Sequence, residues 1–265
     1  KMYKDLKIGI AGVGFVGGAM LKSFIKNNVD VKAYDKYNDK YNTFEEITYS
    51  DIIFLCLPTK FDENINMYDK SCIYSVCDDL NKVNYSGSII IKSTVETGTT
   101  EKISNKYPNL QFIHNPEFLT ARTAYEDFHN QKHIVIGKSG NCNQKHVENL
   151  YNFYNYNYPE AEFSFCSSNE SESMKLFVNC FYSVKIQFFN ELFLLTQKIE
   201  NCNYDNILSI MLKNNWINPM HTKVPGPDGE LSYGGACFPK DTNALLNLMK
   251  FNNTSSSVLE STINE

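Results

Sequence analysis

Arginine is almost missing from this 265-residue chain, where Arg122 is the only one. Any site that would ordinarily recruit the planar fork of a guanidinium must therefore use another side chain. Long apolar runs are missing too. The longest, Ile52 to Leu57, is far too short to cross a bilayer, so no membrane association is expected. The chain has no CxxC pair and no His at a zinc-ligand spacing from a Cys, so its 8 irregularly spaced cysteines point to neither a metal site nor a disulfide framework. Most of them are expected to be small buried hydrophobes. No basic cluster interrupts a net charge of −5, which argues against a nucleic-acid or anionic-membrane partner. The N-terminus runs almost directly into Lys7-Ile8-Gly9-Ile10, which leaves no room for a signal peptide, and a cytoplasmic protein is expected.

What is present describes a globular chain with room for two domains: 42% hydrophobic and 21% charged residues. Short apolar runs at Leu6–Ala11, Val31–Asp35, Asp51–Leu57, Ser88–Lys92, Leu110–Ile113 and His133–Ile136 read as strands, with helical spacing between them. That alternation predicts an α/β fold with a Rossmann-type, doubly wound parallel sheet. Gly12-Val13-Gly14-Phe15-Val16-Gly17 follows the first strand and opens a helix marked by Met20, Leu21, Phe24 and Ile25. A lone GxGxxG is weak, but here a strand precedes it, a helix follows it, and Asp35 ends the next strand. Gly12 suits the tight turn, Gly14 a close approach to a pyrophosphate, and Gly17 close helix–strand packing, while the helix N-terminus offers free N–H groups to phosphate. Asp35 would bond the ribose hydroxyls and repel a 2′-phosphate, favouring NAD, although Lys32 and Lys36 nearby weaken that exclusion.

From Ser168-Asn169, an N-cap signal, the chain continues without Gly or Pro to about Asn201. Phe177, Phe181, Val184, Phe188, Leu192 and Leu195 make one apolar stripe, and Val178, Ile186, Phe189, Phe193 and Leu194 add apolar character elsewhere. A helix apolar on most sides must be covered on most sides. The expectation is an α-helical domain with a long central helix that also serves a homodimer interface. The boundaries expected are 1–166 for the dinucleotide-binding domain and 167–265 for the helical one.

Four further segments belong together: Ser93-Thr94-Val95-Glu96-Thr97-Gly98-Thr99-Thr100, Asn115-Pro116-Glu117-Phe118-Leu119, the Lys175/Asn179 helix pair, and Gly234-Gly235-Ala236-Cys237-Phe238-Pro239-Lys240-Asp241. With the fingerprint in front and Cys56-Leu57-Pro58-Thr59 after the third strand, the whole chain resembles the UDP-glucose/GDP-mannose dehydrogenase family. The resemblance implies a four-electron oxidation of a sugar CH2OH to a carboxylate with successive NAD molecules. UDP-glucose is the first candidate substrate, ahead of UDP-N-acetylmannosamine and GDP-mannose. It implies Cys237 as the nucleophile that turns the aldehyde tetrahedral before its second oxidation. Lys175 and Asp241 would organise water and the oxyanion, Asn179 would donate to the alkoxide, Thr94 would position water, and Glu117 would move protons. Phe15, Val16, Thr59 and Thr94 join the glycines and Asp35 in the implied cofactor site. Glu117, Phe118, Leu119, Lys175, Asn179, Tyr233, Gly234, Gly235 and Lys240 make the implied nucleotide-sugar site.

Each residue alone has a plainer reading. Glu172, Lys175 and Asn179 suit a solvated helix stripe, Cys237 a buried structural thiol, Thr94 a strand end, and Glu117 a surface acid. Their joint order favours the chemistry; Cys180 stays structural. Family members continue into a third, Rossmann-like domain that is expected to be absent here, and Asn218–Gly229, with His221 and Lys223, is the candidate to hold the nucleotide instead. The family's arginine before the Cys motif has no counterpart, and Lys223 or His221 would stand in. Two alternatives are a catalytically inactive NAD- or nucleotide-sugar-binding protein and a 3-hydroxyacid or 6-phosphogluconate type dehydrogenase. The latter needs no cysteine, so the CFPKD segment weighs against it.

Overall fold

The computed structural model describes residues 3–265. The elements run β1 (Ile8–Ala11), α1 (Phe15–Lys26), β2 (Val31–Tyr34), α2 (Phe44–Ile47), β3 (Ile52–Leu55), β4 (Phe61–Asp62), β5 (Met67–Tyr68), α3 (Ser71–Lys82), β6 (Ser88–Ile91), α4 (Thr99–Lys106), β7 (Gln111–His114), α5 (Ala124–His129), β8 (His133–Lys138), α6 (Gln144–Asn157), β9 (Glu162–Ser167), α7 (Ser168–Thr196), α8 (Tyr204–Met211), α9 (Phe238–Phe251) and α10 (Ser257–Asn264). The chain divides into two compact units, residues 1–62 with 68–175, and residues 63–67 with 176–265.

The first unit is built on a seven-stranded sheet of order β2-β1-β3-β6-β7-β8-β9, and β4 and β5 form a separate pair. β1 pairs in parallel with both β2 and β3, so the chain reverses its winding there, and the cleft at such a switch point is where α/β sheets bind ligands. The run Ile8, Ile10, Ile52, Phe54, Ile90 and Ile113 is almost wholly buried, and Phe24 of α1 packs its ring 5.3–5.7 Å from Phe54, Phe128 and Phe153. Each such aromatic contributes roughly 1.5–3 kcal/mol through burial.

The sheet is not parallel throughout. β8 runs antiparallel to β7, and β9 follows β8 in parallel. Apolar spacing marks a buried strand but carries no sign of its direction. β9 also lacked any such signal, because Glu162, Ser164, Phe165 and Ser167 along this edge strand are exposed.

α7 begins with a reciprocal cap: Ser167 Oγ accepts the Glu170 N–H at 3.2 Å, and Glu170 Oε2 accepts the Ser167 N–H at 2.8 Å. Three consecutive residues then fasten its first turn. Ser171 Oγ lies 2.7 Å from His114 Nδ1, and Ser173 Oγ lies 2.8 Å from Thr97 Oγ1. Between them, Glu172 accepts the N–H groups of Gly98 and Thr100 at 2.7 Å and the Thr100 hydroxyl at 2.5 Å. Its carboxylate thus sits on the N-terminus of α4, where unpaired donors and the helix dipole favour negative charge. Glu172, Lys175 and Asn179 are all buried, so the solvated-stripe reading of this helix is overturned.

In the second unit, Phe189 of α7 packs with Tyr204 and Leu208 of α8, and Cys180 packs with Leu245 and Leu259 of α9 and α10. Phe177, Phe181, Phe188 and Leu195 remain 54–61% exposed in the single chain. Among the described residues, no helix is long and apolar enough to cross a membrane.

Burial pushes the Glu172 carboxyl up to about 7, against the hydrogen bonds that favour its anion. A folded-state value above the unfolded 4.5 means that folding takes up a proton between those two pH values. The stability it contributes is therefore present below pH ~4.5 and lost as pH rises toward ~7. Thermal unfolding across that window should show this decline in the wild-type chain, and Glu172→Gln should flatten it.

Candidate active site

The cofactor end of the first unit is assembled at the switch point. Gly12, at φ +93°, donates its N–H to Tyr34 O of β2 at 2.8 Å, and Cys56 N–H returns to Ala11 O at 2.8 Å. A Cβ on Gly12 would lie 2.4 Å from Cys56 O, and one on Gly17 would lie 1.9 Å from Gly12 O. Both glycines are therefore required by close backbone approach. Gly14 differs: it caps α1 with an extended backbone, and a Cβ there would meet nothing within 4 Å. Open space above the first free N–H groups of a helix fits a pyrophosphate. Phe15, 46% exposed, opens the helix, while Val16 packs on the core.

Asp35 Oδ2 accepts the Val13 N–H at 2.9 Å and Oδ1 accepts the Tyr37 N–H at 3.0 Å. The acid is thus tied to the glycine loop itself, and each oxygen keeps a lone pair for a ribose hydroxyl. Thr59 is buried and donates to Thr94 O at 2.8 Å, and Ser93 Oγ donates to Leu57 O at 2.6 Å. These bonds lace the loops after β3 and β6 together beside the glycine turn.

Glu117 and Lys175 come together, both nearly buried, with Nζ 3.6 Å from Oε1. Lys175 also donates to the Glu117 carbonyl and lies 5.3 Å from the Phe118 ring centroid. Leu119 N–H donates to Glu117 Oε2 at 2.6 Å, which folds the NPEFL segment back on its own acid. Beneath this segment lie two residues, Lys92 and His114, that belong to none of the implied site motifs. Lys92 is buried, donates to Asn115 Oδ1 and Pro116 O, and is pushed down to about 8 by burial. His114 is buried and held neutral, at about 3, for the same reason. A charged residue closing an otherwise apolar strand was the available signal for Lys92.

The second unit holds the remaining candidates. Cys237 is half-buried at the N-cap of α9, with Pro239 in the helix's first turn. Asp241, one turn in, is fully buried; its N–H donates to Cys237 O at 3.0 Å. Asn179 Nδ2 donates to Asp241 Oδ2 at 2.6 Å, and Lys240 Nζ lies 3.0 Å from Oδ1. Cys180 lies 3.4 Å from Asp241 O, and burial pushes its thiol up to about 12, in keeping with a structural thiol. Ser232, just before Tyr233-Gly234-Gly235, is fastened to α7 by Gln187 Oε1 at 2.7 Å and Asn190 Oδ1 at 2.9 Å. Gly234 and the positive-φ Gly235 are exposed, and Tyr233 is half-buried.

Of the two candidate stand-ins for arginine, His221 packs with its ring tilted 4.7 Å from Tyr182 and edge-on 5.7 Å from Phe238, and Lys223 is exposed. Asn179 follows Lys175 by one turn along α7 and belongs to the second unit. A surface groove lined by Tyr49, Asp51, Tyr85, Gly87, Lys145 and His146 lies at the N-terminal ends of β3 and β6, the end of the sheet opposite the glycine loop. Among the described residues, no cluster of His, Cys, Asp or Glu is arranged to hold a metal ion.

A mostly parallel sheet with a glycine-rich switch-point loop, followed by a helical unit around one long helix, defines a dinucleotide-dependent dehydrogenase architecture. Comparison with known proteins narrows the class. The NAD binding domain of the UDP-glucose/GDP-mannose dehydrogenase family matches residues 35–155, and that family's central domain matches residues 169–265. A UDP-glucose 6-dehydrogenase of Campylobacter jejuni is 29% identical across 91% of this chain and 67% of its own length. The UDP-glucose dehydrogenase structure from Pyrobaculum islandicum superposes with a TM-score of 0.85 at 21% identity, over 98% of this chain and 67% of that one. A Mycobacterium tuberculosis 3-hydroxyisobutyrate dehydrogenase shares the fold, with a TM-score of 0.76 at 14% identity over 98% of this chain and 91% of that one. The chain belongs to the UDP-glucose/GDP-mannose dehydrogenase family, whose cofactor is NAD. It spans between about half and two thirds of the length of the UDP-glucose 6-dehydrogenases it matches.

The contrast between the glycines tests the cofactor site. Gly14→Ala should leave the melting temperature unchanged and weaken NADH binding by roughly tenfold or more through lost pyrophosphate approach. Gly17→Ala should lower both. Fluorescence titration with NADH and thermal unfolding separate the two outcomes.

Proposed function

We propose that this protein is a cytoplasmic enzyme that oxidises the primary alcohol of a nucleotide sugar to a carboxylate, with UDP-glucose as the first substrate to try. The observation carrying this reading is the start of α9, where half-buried Cys237 is followed one turn later by a buried Asp241 held by Asn179 and Lys240. NAD, when bound, supplies a hydride acceptor, and two molecules are reduced per sugar. In the first step Glu117, or a water it holds with Thr94, takes the hydroxyl proton as the C–H bond breaks, leaving an aldehyde. A planar aldehyde has no alkoxide to expel a second hydride.

Attack by the Cys237 sulfur makes the carbon tetrahedral and places negative charge on oxygen, which Asn179 and Lys175 stabilise. Loss of the second hydride leaves a thioester on Cys237. Water, activated by Glu117 and positioned by Asp241, then cleaves the C–S bond and returns the thiol. The sulfur's place at a helix N-terminus suits it to bear negative charge. Tyr233, Gly234, Gly235, Phe118, Leu119 and Lys240 are assigned to the nucleotide-sugar site. In the absence of the family's arginine, Lys223 or His221 is the candidate to take its part. Lysine meets phosphate as a point charge rather than as a bidentate fork.

The wild-type chain should release two NADH per UDP-glucose, read from nicotinamide absorbance against sugar consumed. Cys237→Ser should lose at least about a hundredfold of this turnover. Full retention of the stoichiometry in the variant would refute the covalent route. Failure of the wild-type chain to reduce NAD with UDP-glucose, UDP-N-acetylmannosamine or GDP-mannose would leave a binding protein in its place.

A homodimer through α7 is part of the same proposal. Phe177, Phe181, Phe188 and Leu195 fall on one face at helical spacing and stay exposed in the single chain, a contiguous apolar stripe of the kind that marks an interface. Phe181→Glu with Phe188→Glu should convert a dimer to a monomer in light scattering. An unchanged mass would remove α7 from the interface.

A further inference from the structure

The segment that carries Glu117 is gripped from below by a lysine to which the proposed reaction assigns no role. Lys92 follows the last residue of β6 and is only 3% exposed. Its Nζ donates to Asn115 Oδ1 at 3.0 Å and to Pro116 O at 3.3 Å. The same Asn115 oxygen accepts the Tyr154 hydroxyl of α6 at 2.6 Å, and Asn115 Nδ2 donates to Val135 O of β8 at 2.7 Å. The Asn115 N–H reaches Ile91 O at 2.9 Å. Asn115 is thereby fixed from β6, α6 and β8 at once.

One residue further on, the Glu117 carbonyl accepts Lys175 Nζ. Successive carbonyls, those of Pro116 and Glu117, are therefore held by two different ammonium groups, and the ring of Pro116 fixes the backbone torsion between Asn115 and the first of them. Burying an ammonium is costly unless fixed dipoles replace its water. Here those dipoles are the oxygens of the segment whose orientation matters most to the neighbouring carboxylate.

We propose that Lys92 is a positioning residue, which, with Asn115 and Tyr154, clamps the Asn115–Glu117 segment and aims the Glu117 carboxylate. The link to catalysis rests on the reading that Glu117 moves protons in the oxidation. The clamp itself does not. Misplacing a catalytic group by about an ångström is enough to cost on the order of a hundredfold in rate. The bland competitor is a lysine that merely fills and stabilises the interior; it predicts a uniform loss of stability without a specific effect on Glu117.

Hydrogen–deuterium exchange and steady-state kinetics on the 265-residue chain separate these. Lys92→Met keeps the stem and removes the ammonium. Tyr154→Phe removes one bond to the same Asn115 oxygen with little change of shape, and serves should the first variant not fold. Amides of the 115–119 segment should exchange roughly tenfold faster or more in either variant, while those of β1 and β3 stay protected. Unchanged exchange in that segment, or acceleration spread evenly over the sheet, would overturn the clamp.

In turnover, Lys92→Met should lower kcat roughly tenfold or more, yet add less than about twofold on a Glu117→Gln background, because both changes act through one group. Fully additive losses would overturn the link to Glu117, as would an unchanged kcat despite local loosening. A wild-type chain that oxidises none of the nucleotide sugars tried would sink the proposed function alone, since exchange reads the clamp without any substrate.

Discussion

The seating of Glu172 on the N-terminus of α4 is the constraint from which much else follows. A carboxylate that satisfies two otherwise unpaired helix N–H groups fixes the rotation and position of the first turn of α7 within the first unit. Ser171 and Ser173 on either side make the same demand through His114 and Thr97. Once the first turn is set, Lys175 has one place to go, and that place is against Glu117. The loop after β6 is held by the same contacts, so the segments bearing Thr94, Glu117 and Lys175 are not independently adjustable. Burial strengthens these interactions, because a donor removed from water has no substitute partner.

A similar logic governs Asp241. A fully buried carboxylate is tolerated only with donors supplied, and Asn179 and Lys240 provide them. The helix that brings Asn179 is the same α7, so one long element supplies polar groups to both units. Its own polar residues are accordingly inside: Gln187 and Asn190, buried on α7, hold the Ser232 backbone and hydroxyl ahead of the Gly234-Gly235 pair.

Much of this was legible from residues alone. The glycine fingerprint, the apolar runs of β1, β3, β6 and β7 and the long helix all announce themselves through spacing, because burial and period are what a sequence records. The antiparallel turn of β8 was not legible, since strand direction leaves no mark on side-chain type. β9 escaped because an exposed edge strand has no apolar run to read. The candidate site was legible as a set of motifs and illegible as a set of contacts. Nothing in the spacing of Glu172, Lys175 and Asn179 distinguishes a wet face from a buried one. The partners that decide the matter, Thr100 and Glu117 for the first two and Asp241 for the third, are distant in sequence. Lys92 was hidden for the opposite reason, a charge at the end of an apolar strand that passes for its solvent-facing stop.

The eight cysteines form no disulfide, and their environments divide them sharply. Burial pushes Cys56, Cys77 and Cys180 up to about 12 and Cys142 up to about 11, so they carry almost no thiolate in neutral solution. Peroxide and other soluble oxidants attack the thiolate. Such damage is therefore steered away from these four thiols, from Cys77, Cys142 and Cys180 in the interior and from half-buried Cys56 alike. A protein rich in sulfur is in this respect sparing with it, since half of its eight thiols are shielded by their surroundings alone, without a single disulfide.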